Sequence, residues 1–315
     1  PPQSKTPAMA YPSTRTVDHV DDYNGTKVAD PYRWLEDDQA PDTKAWVEAQ
    51  NRVTFGFLEQ IPERSRIKER LTDLWNYERF GVPFKEGGRY FFTKNDGLQS
   101  QSVLYTLSSL DAEPRVLLDP NKLSADGTVA LMGYSIIEDG KLMAYGTSSA
   151  GSDWMEWRVR QIDTGTDLPD KIEWVKSSGA AWTKDGKGFF YSRYDAPKAT
   201  DTYKGLNYFH KLYYHRLGTP QSEDTLIYHR PDQKEWGFAG GVTDDGRYLV
   251  ISVWHGTDTR NRFFYKELAA GTNVVELLND FDADYSFIDN VGSVFYFRTD
   301  YLAPRENKKI GRAHV

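Results

Sequence analysis

Histidine is the first residue type to question for chemistry, because a neutral imidazole serves both as metal ligand and as general base. The chain has six. His19 and His314 sit in terminal segments. His210 and His215 are five apart, just before and within a predicted strand, and odd spacing sends them to opposite faces, so they cannot simply share a metal. His229 ends a predicted strand and His255 lies in the loop "WHGTDTR". Each reads as a surface or packing residue, and no His-Glu-x-x-His pattern exists. Asp280, Asp282 and Asp284 are spaced like the start of a calcium loop. However, Tyr285 stands where that loop needs Gly and Val291 where it needs a bidentate Glu, so the stretch reads as a solvated acidic turn. The "GKG" at 186–188 lies inside a strand–turn–strand phrase rather than before a helix, which excludes a phosphate loop. Paired carboxylates (Asp21/Asp22, Asp37/Asp38, Asp244/Asp245) fall in turns or near helix starts, where Asp bonds its own backbone. Cysteine is absent, so there is neither a thiol nucleophile nor a disulfide. Gly-x-Ser-x-Gly, the elbow that presents a serine nucleophile, is also absent; Ser152 of "SSAGSDW" lies in a predicted loop. The expectation is no catalytic residue, no metal and no cofactor within these residues.

The elements that would position any site fall into two stretches. Over 31–80, Trp46, Val47, Gln50, Val53, Phe57 and Leu58 recur at spacings of three and four, as do Ile67, Leu71 and Leu74. That period predicts amphipathic helices over 42–60 and 63–76, the first capped by Asp42 or Thr43 and stopped by Pro62. They form an N-terminal helical arm, residues 1–78, whose apolar faces need a partner.

From 79 to 315 the period changes to that of strands. "FKEGGRYFFTK", "IIEDGKLMAYG", "WTKDGKGFFYS", "VTDDGRYLVIS" and "FIDNVGSVFYF" align on Gly88, Gly140, Gly186, Gly246 and Gly292, which are 52, 46, 60 and 46 residues apart. Each is strand, Asp/Asn/Gly turn, strand, the strongest short hairpin signal. A second hairpin follows each of the first four, over 102–118, 155–169, 211–228 and 261–278. Four strands at this period are the mark of a β-propeller blade; a β-sandwich whose turns merely look alike is the competing reading. The chain is therefore expected to be mainly β, a partial propeller of about four and a half blades. "ENKKIGRAHV" at 306–315 shows no strand alternation, and a ring left there would expose sheet edges. The expected reading is a severed or foreign end.

Bulk composition narrows the classes. Thirty-nine basic against 46 acidic residues give a net charge of −7, and no Lys/Arg run offsets it, which argues against a nucleic-acid partner. No apolar run approaches the ~20 residues of a membrane span, and the first residues lack a signal-peptide core. A cytoplasmic, non-membrane protein is expected.

Several long stretches carry a more specific signal. "DPYRWLED", "TKAWVEAQN", "FLEQIP", "FTKNDGLQSQSVLY", "LLDPNKLSADGTVAL", "AYGTSSAGSDWMEW", "AWTKDGKGFFYSRY", "HKLYYHRLGTPQSEDTLIY" and "VTDDGRYLVISVWHGTDTRNR" resemble the prolyl oligopeptidase family, from about Tyr11 to about Arg305. The resemblance implies a cytosolic serine endopeptidase that cleaves short peptides after proline. In that family an α/β-hydrolase domain carries a Ser-Asp-His triad. A seven-bladed propeller caps it and limits access to small peptides, and the N-terminal arm packs on the hydrolase domain. The triad follows the propeller there, and the family's Gly-Gly-Ser-Asn-Gly-Gly is missing here. The chain is thus expected to be inactive alone, with the hydrolase domain as its missing partner and short proline-containing peptides as substrates of the intact enzyme. Without that partner, exposed Trp46, Phe57 and Leu71 would drive association. A non-catalytic propeller that binds peptides or proteins is the alternative.

The resemblance also implies four substrate-cavity positions. Asp153 in "AGSDW" matches an acidic cavity residue. Ser177 stands where typical mammalian members carry an aromatic, which shrinks an apolar wall. Trp254 stands where they carry an arginine, and Thr257 where they carry a cysteine, which removes a thiol near the cavity.

Overall fold

A computed structural model describes residues 10–197, 206–269, 271–303 and 309–315. Residues 1–9, read above for a signal segment, and the 306–308 part of the terminal stretch lie outside them. The chain divides into two compact units, one ending at Tyr77 and the other beginning at Glu78.

The first unit opens with a hairpin, β1 (Val20–Tyr23) and β2 (Thr26–Ala29). Its turn is Asn24-Gly25, both in the left-handed region that a two-residue turn of this kind demands. Helix α1 (Pro41–Glu59) and helix α2 (Arg64–Trp75) follow. The helix start differs from the expected cap. Ala40 is the N-cap and Pro41 takes the first position, where its missing N–H costs nothing. Thr43 is buried and donates instead to the Trp34 carbonyl. Asp42 pairs with Arg15 at 3.2 Å. Trp46 is half-buried, its indole N–H donating to Thr14 Oγ1, and Phe57 is half-buried too, whereas Leu71 is exposed as expected.

Among the described residues the strands of the second unit pair antiparallel throughout. The first blade holds β3 (Arg79–Phe80), β4 (Phe84–Glu86), β5 (Arg89–Asn95), β6 (Val103–Leu107) and β7 (Arg115–Leu118). The second holds β8 (Val129–Ile136), β9 (Leu142–Ser149), β10 (Met155–Gln161) and β11 (Asp167–Val175). The third holds β12 (Ala181–Trp182), β13 (Gly188–Arg193), β14 (Lys211–Arg216) and β15 (Thr225–His229). One residue pair, Val175 with Arg193, ties β11 to β13 and merges these two blades into an eight-stranded sheet. The fourth blade is β16 (Trp236–Val242), β17 (Tyr248–His255), β18 (Arg262–Glu267) and β19 (Val275–Leu278). The fifth is β20 (Tyr285–Val291), β21 (Val294–Thr299) and β22 (Lys309–His314).

The last strand corrects the expectation that the terminal stretch carries no strand. Residues 309–314 pair with β21 in continuous register, Val294 with His314 through Thr299 with Lys309. Weak alternation hid the strand. The free edge of β21 supplies ladder partners that make up for the missing pattern. Among the described residues the fifth blade thus has three strands rather than one hairpin.

Strand periodicity explains why the phrase repeats. Along β13, Phe189 and Tyr191 pack toward the second blade while Phe190 packs toward the fourth. Along β17, Leu249, Ile251 and Val253 face the third blade while Tyr248 and Val250 face the fifth. Successive side chains point to opposite faces, so a strand covered on both sides carries a near-continuous apolar run. Four buried clusters result among the described residues, each filling one seam between consecutive blades. Among the described residues no buried cluster joins the fifth blade back to the first. The Asp-Gly turns also touch in series. A Cβ on Gly87 would come within 2.2 Å of the Asp139 carbonyl, and Gly87 has φ +55°, so two turns meet where only glycine fits.

Candidate functional site

Because strand direction alternates, the turns between β9 and β10, β13 and β14, and β17 and β18 fall at one end of the blades, with the link that follows β11. The Asp-Gly turns occupy the other end. All four family-implied positions belong to the first end. Asp153 is in the β9–β10 turn, Ser177 follows β11, and Trp254 and Thr257 are at the β17–β18 turn. Asp153, Ser177 and Thr257 are exposed and Trp254 is half-buried.

Side chains that the sequence reading passed over connect three of these positions. Lys176, beside Ser177, places its ammonium 3.2 Å from the Asp153 carboxylate and 5.3 Å from the centroid of Trp154. Trp154 meets Trp174 edge-on at 5.9 Å and Tyr194 edge-on at 6.0 Å. Tyr194 lies 4.5 Å from His210, and His210 lies 5.6 Å from Trp254. Aromatic faces therefore run from the second blade across the third to the fourth. The two edge-to-face pairs of Trp154 are worth about 0.5–1.5 kcal/mol each beyond the area they bury. Thr257 stands apart, in an exposed turn closed by the Asp258 N–H on the His255 carbonyl. The Arg260 guanidinium, with its own backbone N–H, pulls the Asp258 carboxyl down to about 2.

Backbone strain marks the Lys176 neighbourhood. Trp174 has φ +63° and Ser177 has φ +54°, both non-glycine residues in the left-handed region. Outliers of this kind collect where a surface is held ready for a ligand. Ser178 Oγ accepts from the Ser192 N–H at 2.7 Å and pins the segment to β13.

His210 is the buried hinge of the aromatic run. The Phe238 N–H donates to its Nδ1 at 3.0 Å, which leaves the ring proton on Nε2. Burial pushes the imidazole down to about 4, with the Lys176 backbone pulling the other way. His210 packs near Phe238 of the fourth blade, whereas His215 packs near Phe189 toward the second, so the predicted opposite faces are observed. Ser152 serves its turn, its Oγ accepting from the Trp154 N–H. In the acidic stretch, Asp282 accepts from the Tyr285 hydroxyl.

Two clefts open at this end. One, of about 490 Å³, is lined by Ser149, Ser152, Trp154, Met155 and Trp174; the other, of about 500 Å³, by Ser252, Trp254, Asp258, Asn261 and Tyr285. Aromatic faces, hydroxyls and a lysine-screened carboxylate suit recognition of apolar rings and peptide groups. Sequence spacing did not reveal Trp154, Tyr194 and His210 as a set, because they lie on separate turns. Their only shared signal is an aromatic ring at or beside the end of a predicted strand.

The family model for the prolyl oligopeptidase N-terminal β-propeller domain matches residues 11–312. The chain belongs to that family. It is 43% identical to a prolyl endopeptidase of Elizabethkingia meningoseptica over 98% of its own length, and 35% identical to prolyl oligopeptidase A of Amanita bisporigera over 95%. It spans less than half of those relatives, 43% and 44%. Prolyl oligopeptidase B of Galerina marginata, solved with a 35-residue substrate, superposes with a TM-score of 0.83 at 30% identity, covering 99% of this chain and 48% of that one. Among the described residues no helix is long and apolar enough to cross a membrane.

Proposed function

We propose that these residues are the gating portion of a cytoplasmic serine-type prolyl endopeptidase that cuts short peptides on the carboxyl side of proline. The propeller admits the peptide, and chemistry falls to a hydrolase domain on which the N-terminal arm packs. The observation that carries this reading is the aromatic run from Trp154 to Trp254, set beside Asp153 and Ser177 at one end of a propeller of this family. Proline offers an apolar ring with little rotational entropy to lose, and aromatic faces are its usual recognition surface. Asp153 and Lys176 supply a polar rim, Ser177 and Trp254 shape the wall, and Thr257 lies on the exposed turn beyond it.

The test is a chimera. The chain is joined to the catalytic portion of the Elizabethkingia meningoseptica prolyl endopeptidase and assayed on an octapeptide with one internal proline and on a folded protein substrate. The chimera is expected to cleave the octapeptide after proline and spare the protein, while the 315 residues alone cleave neither. Hydrolysis by the 315 residues alone, or a folded chimera that cleaves nothing, overturns the reading.

A further inference from the structure

A second group of titratable residues lies away from that face, wholly inside the seam between the second and third blades. Asp170 is on β11, His215 is on β14, and Asp224 precedes β15; the three side chains are at most 1% exposed. His215 Nδ1 lies 2.7 Å from Asp224 Oδ1 and its Nε2 lies 3.0 Å from Asp170 Oδ1. Asp170 Oδ1 also accepts the Gly218 N–H at 2.6 Å, and Asp224 Oδ2 accepts the Tyr191 hydroxyl at 2.6 Å. Gln221 bonds the Glu173 backbone in both directions, so the third blade grips β11 at two points.

Geometry sets the charge state. Both ring nitrogens face carboxylate oxygens, which only accept when ionised, and a neutral imidazole has a single N–H. Its second nitrogen would aim a lone pair at a carboxylate. A proton on Asp170 Oδ1 could serve the Nε2 contact as well, but imidazole is a stronger base than a carboxylate, and the ionised Asp170 keeps its full acceptor strength for the Gly218 N–H, so the proton rests on the ring. The imidazolium satisfies both contacts.

We propose that Asp170, His215 and Asp224 form a charge-locked clasp that holds the second and third blades together and releases at alkaline pH. The proposal is independent of the peptidase reading. The groups that face the ring are Asp170 from β11 and Asp224 before β15. Tyr191 from β13 is joined through Asp224, and Arg193, also on β13, acts on Tyr191. Burial alone would push the imidazole down, but the Asp224 and Asp170 carboxylates outweigh it and push it up. Its contribution is therefore complete below the ordinary histidine value of 6.5 and fades as pH rises through the raised folded value.

The test compares melting temperature from pH 6 to 10 for the full chain and for His215→Gln and Asp170→Asn. Removing one partner of a buried pair strands the other, so at pH 6 both variants are expected to melt roughly 5 °C or more below the parent. The gap for His215→Gln narrows as pH rises, because the parent loses what the variant never had. Parallel curves overturn the proposal. Should the variants fail to fold, nitrogen-15 imidazole spectra of the parent decide: a buried ring protonated on both nitrogens at pH 6.5 supports the clasp, and a neutral tautomer there overturns it.

Discussion

The indole of Trp254 occupies the space that a side chain at Gly237 would need. The two are cross-strand partners on β17 and β16, and a Cβ built on Gly237 would fall 2.1 Å from the indole. The missing side chain lets the ring lie across β16 and reach His210. Gly237→Ala is therefore expected to displace the indole and cost about 1–3 kcal/mol, the usual range for overpacking. Denaturant unfolding measures the cost, and acrylamide quenching reports whether the indole moves. An unchanged midpoint together with unchanged quenching would sink this account of Trp254.

His210 gives the protein an acid-side slope opposite in sign to that of His215. Its folded value, about 4, is below the ordinary 6.5 because burial disfavours the charged ring. The unfolded chain binds the proton more readily, so this stabilisation is full above about pH 6.5 and is lost as pH falls toward about 4. Over the whole window it is on the order of 3 kcal/mol. His210→Asn keeps an acceptor for the Phe238 N–H but does not titrate. The stability advantage of the parent over the variant should shrink as pH falls through that window; a difference that stays constant with pH contradicts the assignment.

On α2, Ile67, Leu71 and Leu74 are 53%, 50% and 50% exposed and lie on one face by their spacing. An apolar stripe of this kind drives self-association at high concentration. Leu71→Lys is expected to move sedimentation toward monomer while changing stability by no more than about 0.5 kcal/mol, as for other exposed positions. Sedimentation that is identical for parent and variant would show that this face is not the sticky one.

Asn290 bridges the last two blades by donating to Asp245 Oδ2 at 2.7 Å and to the Gly292 carbonyl at 3.0 Å. Asn290→Ala removes both donors from a buried site and should cost about 1–3 kcal/mol. Loss of hydrogen-exchange protection is expected first in β20 and β21. Uniform loss across all blades would count against a local bridge.

Much of the architecture was legible because it rests on local rules. Gly140, Gly186 and Gly246 announced hairpins through turn chemistry that needs only neighbouring residues. Helices α1 and α2 announced themselves by period, although Pro41, rather than Asp42 or Thr43, set the start of the first. The Asn24-Gly25 hairpin was equally local and went unread, because its short flanking strands carry little apolar pattern. Strand β22 was hidden for the same reason.

The sites were not legible in that way. His215 and Asp170 are 45 residues apart and His210 and Phe238 are 28 apart. Nothing in either local stretch marks the partner, since each histidine alone fits an ordinary packing position. By itself the sequence determined the hairpin repeat, the two helices and the family likeness, all of which follow from short-range geometry. Only the tertiary structure decided which strands abut across a seam. That choice made one histidine a neutral aromatic support and the other a buried cation, because charge state follows from the groups that packing places around a ring.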